Sequence, residues 1–102
     1  GAAIRLYPAT GRLALAEGIE TALAVRLTAG WPSWACVSAH GLSTVDLPAA
    51  VREVLVAADY DAAGLDAAEA LARRLRNEGR QVRVAVPSEP GQDFNDVLRA
   101  AA

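Results

Sequence analysis

Two kinds of apolar segment alternate along the chain. Residues 12–16 (RLALA), 34–39 (WACVSA), 53–58 (EVLVAA) and 81–86 (QVRVAV) are short apolar runs bounded by turn residues, the signature of strands. Between them the apolar positions change period. Ile19, Ala22, Leu23 and Leu27 recur at helical spacing over residues 19–29, and Gly30 with Pro32 beyond it supplies a stop. A second helix is predicted over residues 62–78, with Leu65, Ala68, Leu71, Ala72 and Leu75 as its stripe, Glu69 one turn before Arg73 on the wet face, and Gly79 at its end. Phe94, Val97, Leu98 and Ala101 form the apolar side of a short terminal helix that Asp93 is placed to cap. The connection over residues 41–52 (GLSTVDLPAAVR) is read as a short helix after Pro48, or as two helical turns broken by that proline.

Strand–helix alternation of this kind predicts an α/β domain. Parallel strands need crossovers, and right-handed crossovers cover both faces of a mostly parallel sheet, here of about four strands. The 102 residues form one domain, with residues 12–99 as its core and residues 1–11 as a leader or edge strand. The amino end has neither a start methionine nor a basic-then-apolar leader, so the chain is expected to be a piece of a larger protein.

Composition narrows the function classes. A hydrophobic content of 53% with 22% charged residues is that of a globular chain, and the apolar runs are too short to span a bilayer. The formal net charge of -2 argues against binding nucleic acid through the field of the whole domain. All ten basic residues are arginine, a bias read as one of coding. The one cysteine, Cys36, lies in an apolar run, is read as a small buried hydrophobe, and fits a reducing cytoplasm. One His and one Cys leave no ligand set for zinc.

The candidate chemistry is carboxylate chemistry. In an open parallel sheet, ligand-handling groups lie beyond the carboxyl ends of the strands. The first strand ends at Glu17, the second near His40 and Gly41, the third at Asp59 and Asp61, and the fourth runs into PSEPGQDFND with Asp93 and Asp96. Glu17, Asp59 and Asp61 are therefore predicted on one sheet edge, with Asp93 a further candidate. Like charges held together raise one another's pKa and destabilise a fold unless a cation neutralises them. Mg2+, which takes oxygen ligands and shares them with substrate phosphates, suits such a cluster, and Mn2+ is a substitute. Gly18 and Gly64 would let a phosphate approach the backbone closely.

Simpler roles stand beside these. Asp61 would also cap the helix that starts at Ala62, and Asp93 would cap the terminal helix. A glutamate before glycine is a poor cap, so function is preferred for Glu17. Glu20 and Asp66 suit exposed first turns, and His40 suits a loop hydrogen bond. Arg73, Arg76 and Arg80 form a solvated face or, alternatively, a track for a phosphate backbone.

AEGIETA after the first strand and AADYDAAG after the third resemble the Toprim domain of bacterial-type primases, type IA and II topoisomerases, nucleases of the overcoming-lysogenization-defect group, and recombination mediators. PSEPGQDFNDVL resembles the closing segment of primase-type members, with Gly91, Asp93 and Asn95 at its polar positions, and the whole is closest to the primases and primase–helicases of phages and plasmids. Thr21 stands where replicative primases carry a second acid on the first helix, and Asn95 replaces another of their acids. The resemblance implies a three-layer, Rossmann-like α/β/α fold and Mg2+-dependent nucleotidyl transfer. Asp59 and Asp61 would hold the metal, with Glu17 as a further ligand or as general base. It implies a single-stranded DNA template and nucleoside triphosphates as partners, reached through a full-length protein with attached zinc-binding or helicase domains. A Toprim nuclease and a non-catalytic assembly module are the alternatives; a topoisomerase, a phosphatase and a phosphorelay domain fit less well.

Overall fold

The structure, a computed structural model, describes residues 3–5, 10–58 and 61–85. The described elements are β1 (Ile4–Arg5), β2 (Arg12–Ala16), α1 (Ile19–Ala29), β3 (Ser33–Ala35), α2 (Ala39–Thr44), β4 (Glu53–Ala57), α3 (Ala62–Asn77) and β5 (Gln81–Ala85). They build a five-stranded sheet in the order β1-β3-β2-β4-β5. β1 runs antiparallel to β3 at one edge, and the remaining pairs are parallel.

The pleat sorts the core into two layers. In β2, Leu13 and Leu15 join Trp34, Cys36, Val54 and Val56 on the face covered by Leu42 of α2 and by Ala67, Ala68, Leu71 and Leu75 of α3. Ala14 and Ala16 point the other way, joining Ala35, Leu55 and Ala57 against Ala22 and Val25 of α1. Small residues on that second face let α1 sit close to the sheet. Because both faces are covered, β2 is buried from Leu13 onward and reads as a continuous apolar run instead of an alternating one. The sheet is thus the middle of a three-layer α/β/α sandwich, its four parallel strands joined at one edge by the antiparallel β1.

Two expectations are corrected. The second strand does not run over residues 34–39: β3 is Ser33–Ala35. Val37 has φ 75, which breaks the extended chain, and Ser38 caps α2 by accepting from the Gly41 N–H at 3.0 Å. The helix of the next connection accordingly precedes Pro48; the residues after it make a turn closed by Val51 N–H to the Pro48 carbonyl at 3.1 Å. Ser33 starts β3 because its buried hydroxyl donates to the Ala22 carbonyl at 2.7 Å, tying α1 to the sheet. The expected terminal helix after Asp93 lies outside the described residues.

The turn after Pro48 is held from across the domain. Arg80, whose side chain is 7% exposed, donates to the Pro48, Val51 and Leu47 carbonyls and pairs with Glu78. Arg74 donates to the Val45 carbonyl at 2.5 Å and pairs with Glu78 at 3.3 Å. Two guanidiniums thereby satisfy the carbonyls of a connection that has no ladder of its own.

Candidate functional site

The C-terminal ends of β2, β3 and β4 are neighbours on one edge. Ala16 pairs with Ala57 across β2 and β4 and with Ala35 across β2 and β3, so the residues that follow these strands emerge side by side. Glu17 follows β2 directly. Its Oε2 is shut off from solvent, and its backbone carbonyl accepts from the Val37 N–H at 2.6 Å. Asp61 caps α3 after β4: its Oδ1 accepts from the Gly64 N–H at 2.6 Å. Capping occupies one of the two carboxylate oxygens. Asp59, between β4 and Asp61 in sequence, and Asp93 both lie outside the described residues. Among the described residues there is no group of three or more acidic, His or Cys side chains able to hold a metal.

The two glycines differ. Gly18 is the N-cap of α1 with extended backbone and no side-chain cap, and a Cβ there would meet nothing within 4 Å. Open space stands beside it. Gly64 is buried in the first turn of α3, and its amide is engaged by Asp61, which leaves it unsuited to receive a phosphate.

Gly18 opens onto a cleft of about 370 Å³ lined by Ile4, Gly18, Ile19, Glu20, Thr21 and Val37. Val37 is a β-branched residue in the left-handed region, and its side chain is 65% exposed. Nothing in the sequence marks it, since apolar residues of this kind rarely adopt φ above zero. Behind it, a Cβ on Gly41 would collide with the Cys36 carbonyl oxygen, so only glycine fits at that position. Ser38, followed three residues later by a glycine, is a cap signal hidden by the apolar residues around it. Cys36 is buried beside this turn, and desolvation pushes its thiol up to about 11.

The arginines also part company. Arg73 is exposed and pairs with Glu69 at 3.7 Å, and Arg76 donates to the Val82 carbonyl of β5 at 3.0 Å. Arg80 is turned inward onto the turn after Pro48, away from any phosphate track. His40, on α2, accepts through its carbonyl from Ser43 and Thr44.

A family model described as Toprim domain matches residues 12–102. The chain belongs to the Toprim family. No curated protein matches it in sequence. Among solved structures it resembles one described as the crystal structure of a DNA primase domain from Pseudomonas aeruginosa, with a TM-score of 0.54 and 23% identity over 87% of this chain. The Toprim chain spans 29% of that primase domain's length. At this identity the likeness is one of fold, and it agrees with the mostly parallel sheet found here. Among the described residues no helix of this Toprim domain is long and apolar enough to cross a membrane.

In sequence Glu17 follows β2, and Asp59 and Asp61 follow β4. The described acids on this edge, Glu17 and Asp61, offer carboxylate oxygen, a donor type that fits Mg2+ or Mn2+ better than a softer ion.

Proposed function

We propose that this Toprim domain carries out metal-dependent nucleotidyl transfer on nucleic acid, as the catalytic domain of a primase or primase–helicase. What supports the reading most is a single juxtaposition: Glu17 and Asp61 follow parallel strands whose last residues, Ala16 and Ala57, are register partners. Two acids 44 positions apart in sequence thus leave the sheet at one edge, as a two-part carboxylate site needs.

Asp59 and Asp61 would hold the cation, with Glu17 beside them. Bound Mg2+ or Mn2+ would offset the charge of the nucleotide phosphates and align them for displacement. Asp61 is fixed for that task, because its cap on α3 sets the carboxylate at the strand-to-helix turn. Glu17 holds its carboxylate in a setting partly removed from water, where a base can accept the proton of an attacking hydroxyl. The nucleophile would be the 3′-hydroxyl of a growing primer and the leaving group pyrophosphate. A single-stranded DNA template would be gripped mainly by other parts of a cytoplasmic, full-length protein, including attached zinc-binding or helicase domains, because this chain carries a net charge of -2.

The test is primer synthesis by the full-length protein on single-stranded DNA with Mg2+ and nucleoside triphosphates. Short RNA products that vanish with Glu17→Gln are expected. Template cleavage in place of synthesis would move the same acids to a nuclease, and neither activity in an otherwise sound protein would favour an assembly module.

A further inference from the structure

Of the exposed large apolar residues among those described, Ile4 lies on β1, Ile19, Leu23 and Leu27 on α1, and Val37 in the turn after β3. Three of them, Ile4, Ile19 and Val37, line the cleft that Gly18 opens onto. They come from three separate parts of the chain: the edge strand, the first turn of α1, and the turn after β3. Val37 is brought there at a cost. Its left-handed backbone is strained for a valine, and the exposed side chain returns no packing to the core. The turn is nevertheless held by the Val37 N–H on the Glu17 carbonyl, and Gly41, lacking a Cβ, leaves room for the Cys36 carbonyl behind it.

The chemistry of the lining selects what could enter. Among the described residues the lining holds Glu20 and no arginine, so a phosphate is disfavoured there. An uncharged flat body with hydrogen-bond donors at its rim fits: the apolar side chains would cover its faces, and the Glu20 carboxylate and Thr21 hydroxyl would receive amino or hydroxyl groups. The cleft is of the size that small-molecule sites occupy, and it joins the carboxylate edge through Gly18, next to Glu17. Gly18 keeps that junction open, because its missing Cβ faces empty space.

We infer that this cleft is the seat of the base and sugar of a nucleotide whose phosphates lie toward Glu17 and Asp61. The inference rests on the nucleotidyl-transfer reading and adds to it the wall that holds the uncharged half of the substrate. Ile4, Ile19 and Val37 supply contact without reading base identity, and Glu20 and Thr21 supply the polar rim.

The experiment compares ATP with inorganic tripolyphosphate, each with Mg2+, binding to the 102-residue chain. Binding is followed by calorimetry and by NMR shifts of Ile4, Ile19, Thr21 and Val37. ATP is expected to bind about tenfold tighter than tripolyphosphate, the scale of covering one face of a base with apolar side chains. Val37→Gly and Ile19→Ser, both at exposed positions and compatible with folding, should bring that ratio close to one and leave tripolyphosphate binding unchanged. Equal affinity for the two ligands in the wild type, an unchanged ratio in both variants, or ATP-specific shifts elsewhere would each overturn the cleft assignment and leave the metal site standing. If neither ligand binds in a Mg2+-dependent way, the carboxylate reading fails and takes this inference with it.

Discussion

The Val37 N–H donates to the Glu17 carbonyl over 2.6 Å, so the strained turn after β3 fixes the backbone of the acid that ends β2. Two neighbouring parallel strands have run out of ladder at this point, and the bond extends their pairing by one residue, continuing that of the Cys36 N–H with the Ala16 carbonyl at 2.7 Å. Glu17 is thereby held through its main chain at the end of β2.

Relieving the strain should therefore stabilise the fold. Val37→Gly is expected to raise unfolding free energy by about 1 kcal/mol, since glycine adopts this backbone freely. Gly41→Ala should act in the opposite direction by about 1–3 kcal/mol, because its Cβ would press on the Cys36 carbonyl. Urea denaturation of both variants checks the pair. If both changes proved neutral, the turn would not be held as described.

Arg80 should be a stability residue. Removing its guanidinium leaves the Leu47, Pro48 and Val51 carbonyls short of a donor, and Arg80→Ala is expected to cost about 2–3 kcal/mol. Arg80→Lys should recover only part of that loss, because one ammonium cannot span three carbonyls as a planar fork does. Arg73→Ala, at an exposed ion pair, should change stability by less than about 0.5 kcal/mol. Thermal melts of the three variants give the ranking.

Cys36 should be silent toward thiol reagents in the native protein. Burial raises its folded pKa from 9.0 to about 11, so the reactive thiolate is scarce at neutral pH. The sign for stability follows. Between about pH 9 and 11 the unfolded chain gives up this proton while the folded chain keeps it, so the contribution is intact below pH 9 and is lost as the pH climbs through that window. Ellman's reagent with and without urea tests the first statement, and Cys36→Ala, which should flatten the alkaline fall in stability, tests the second.

Much of this was legible in the sequence because period and punctuation agree. Residues 19–29 show a helical stripe closed by Gly30, and α1 has those limits, with Gly30 at φ 76 accepting the left-handed cap position. The strands at residues 12–16, 53–58 and 81–86 are found within a residue at their ends, since buried parallel strands are short unbroken apolar runs. The run at residues 34–39 failed for the same reason. WACVSA is apolar almost throughout, and hydropathy alone does not separate the strand up to Ala35, the left-handed Val37 and the helix that Ser38 starts.

The candidate site divides along a similar line. Acids at strand ends can be placed by topology, so Glu17 and Asp61 could be expected on one edge before any coordinates. The cleft could not. It is assembled from Ile4, Ile19 and Val37, whose proximity depends on which strand β1 pairs with and on one backbone angle, and neither of these is marked in the sequence, which offers residues 1–11 only as a leader or edge strand. Arg80 was unreadable too, because a guanidinium facing solvent and one buried on carbonyls look alike in sequence.

The most direct test of the central claim is Mn2+ binding to the 102-residue chain, read by electron paramagnetic resonance and by competition with Mg2+. Asp61→Asn is the informative variant: asparagine caps a helix as well as aspartate does, so α3 stays intact and only the charge is lost. Wild type should bind in the millimolar range or tighter, and Asp61→Asn and Asp59→Asn should each weaken binding at least about tenfold with melting temperature unchanged. Equal binding by wild type and both variants would contradict the account and leave Asp61 as a helix cap alone.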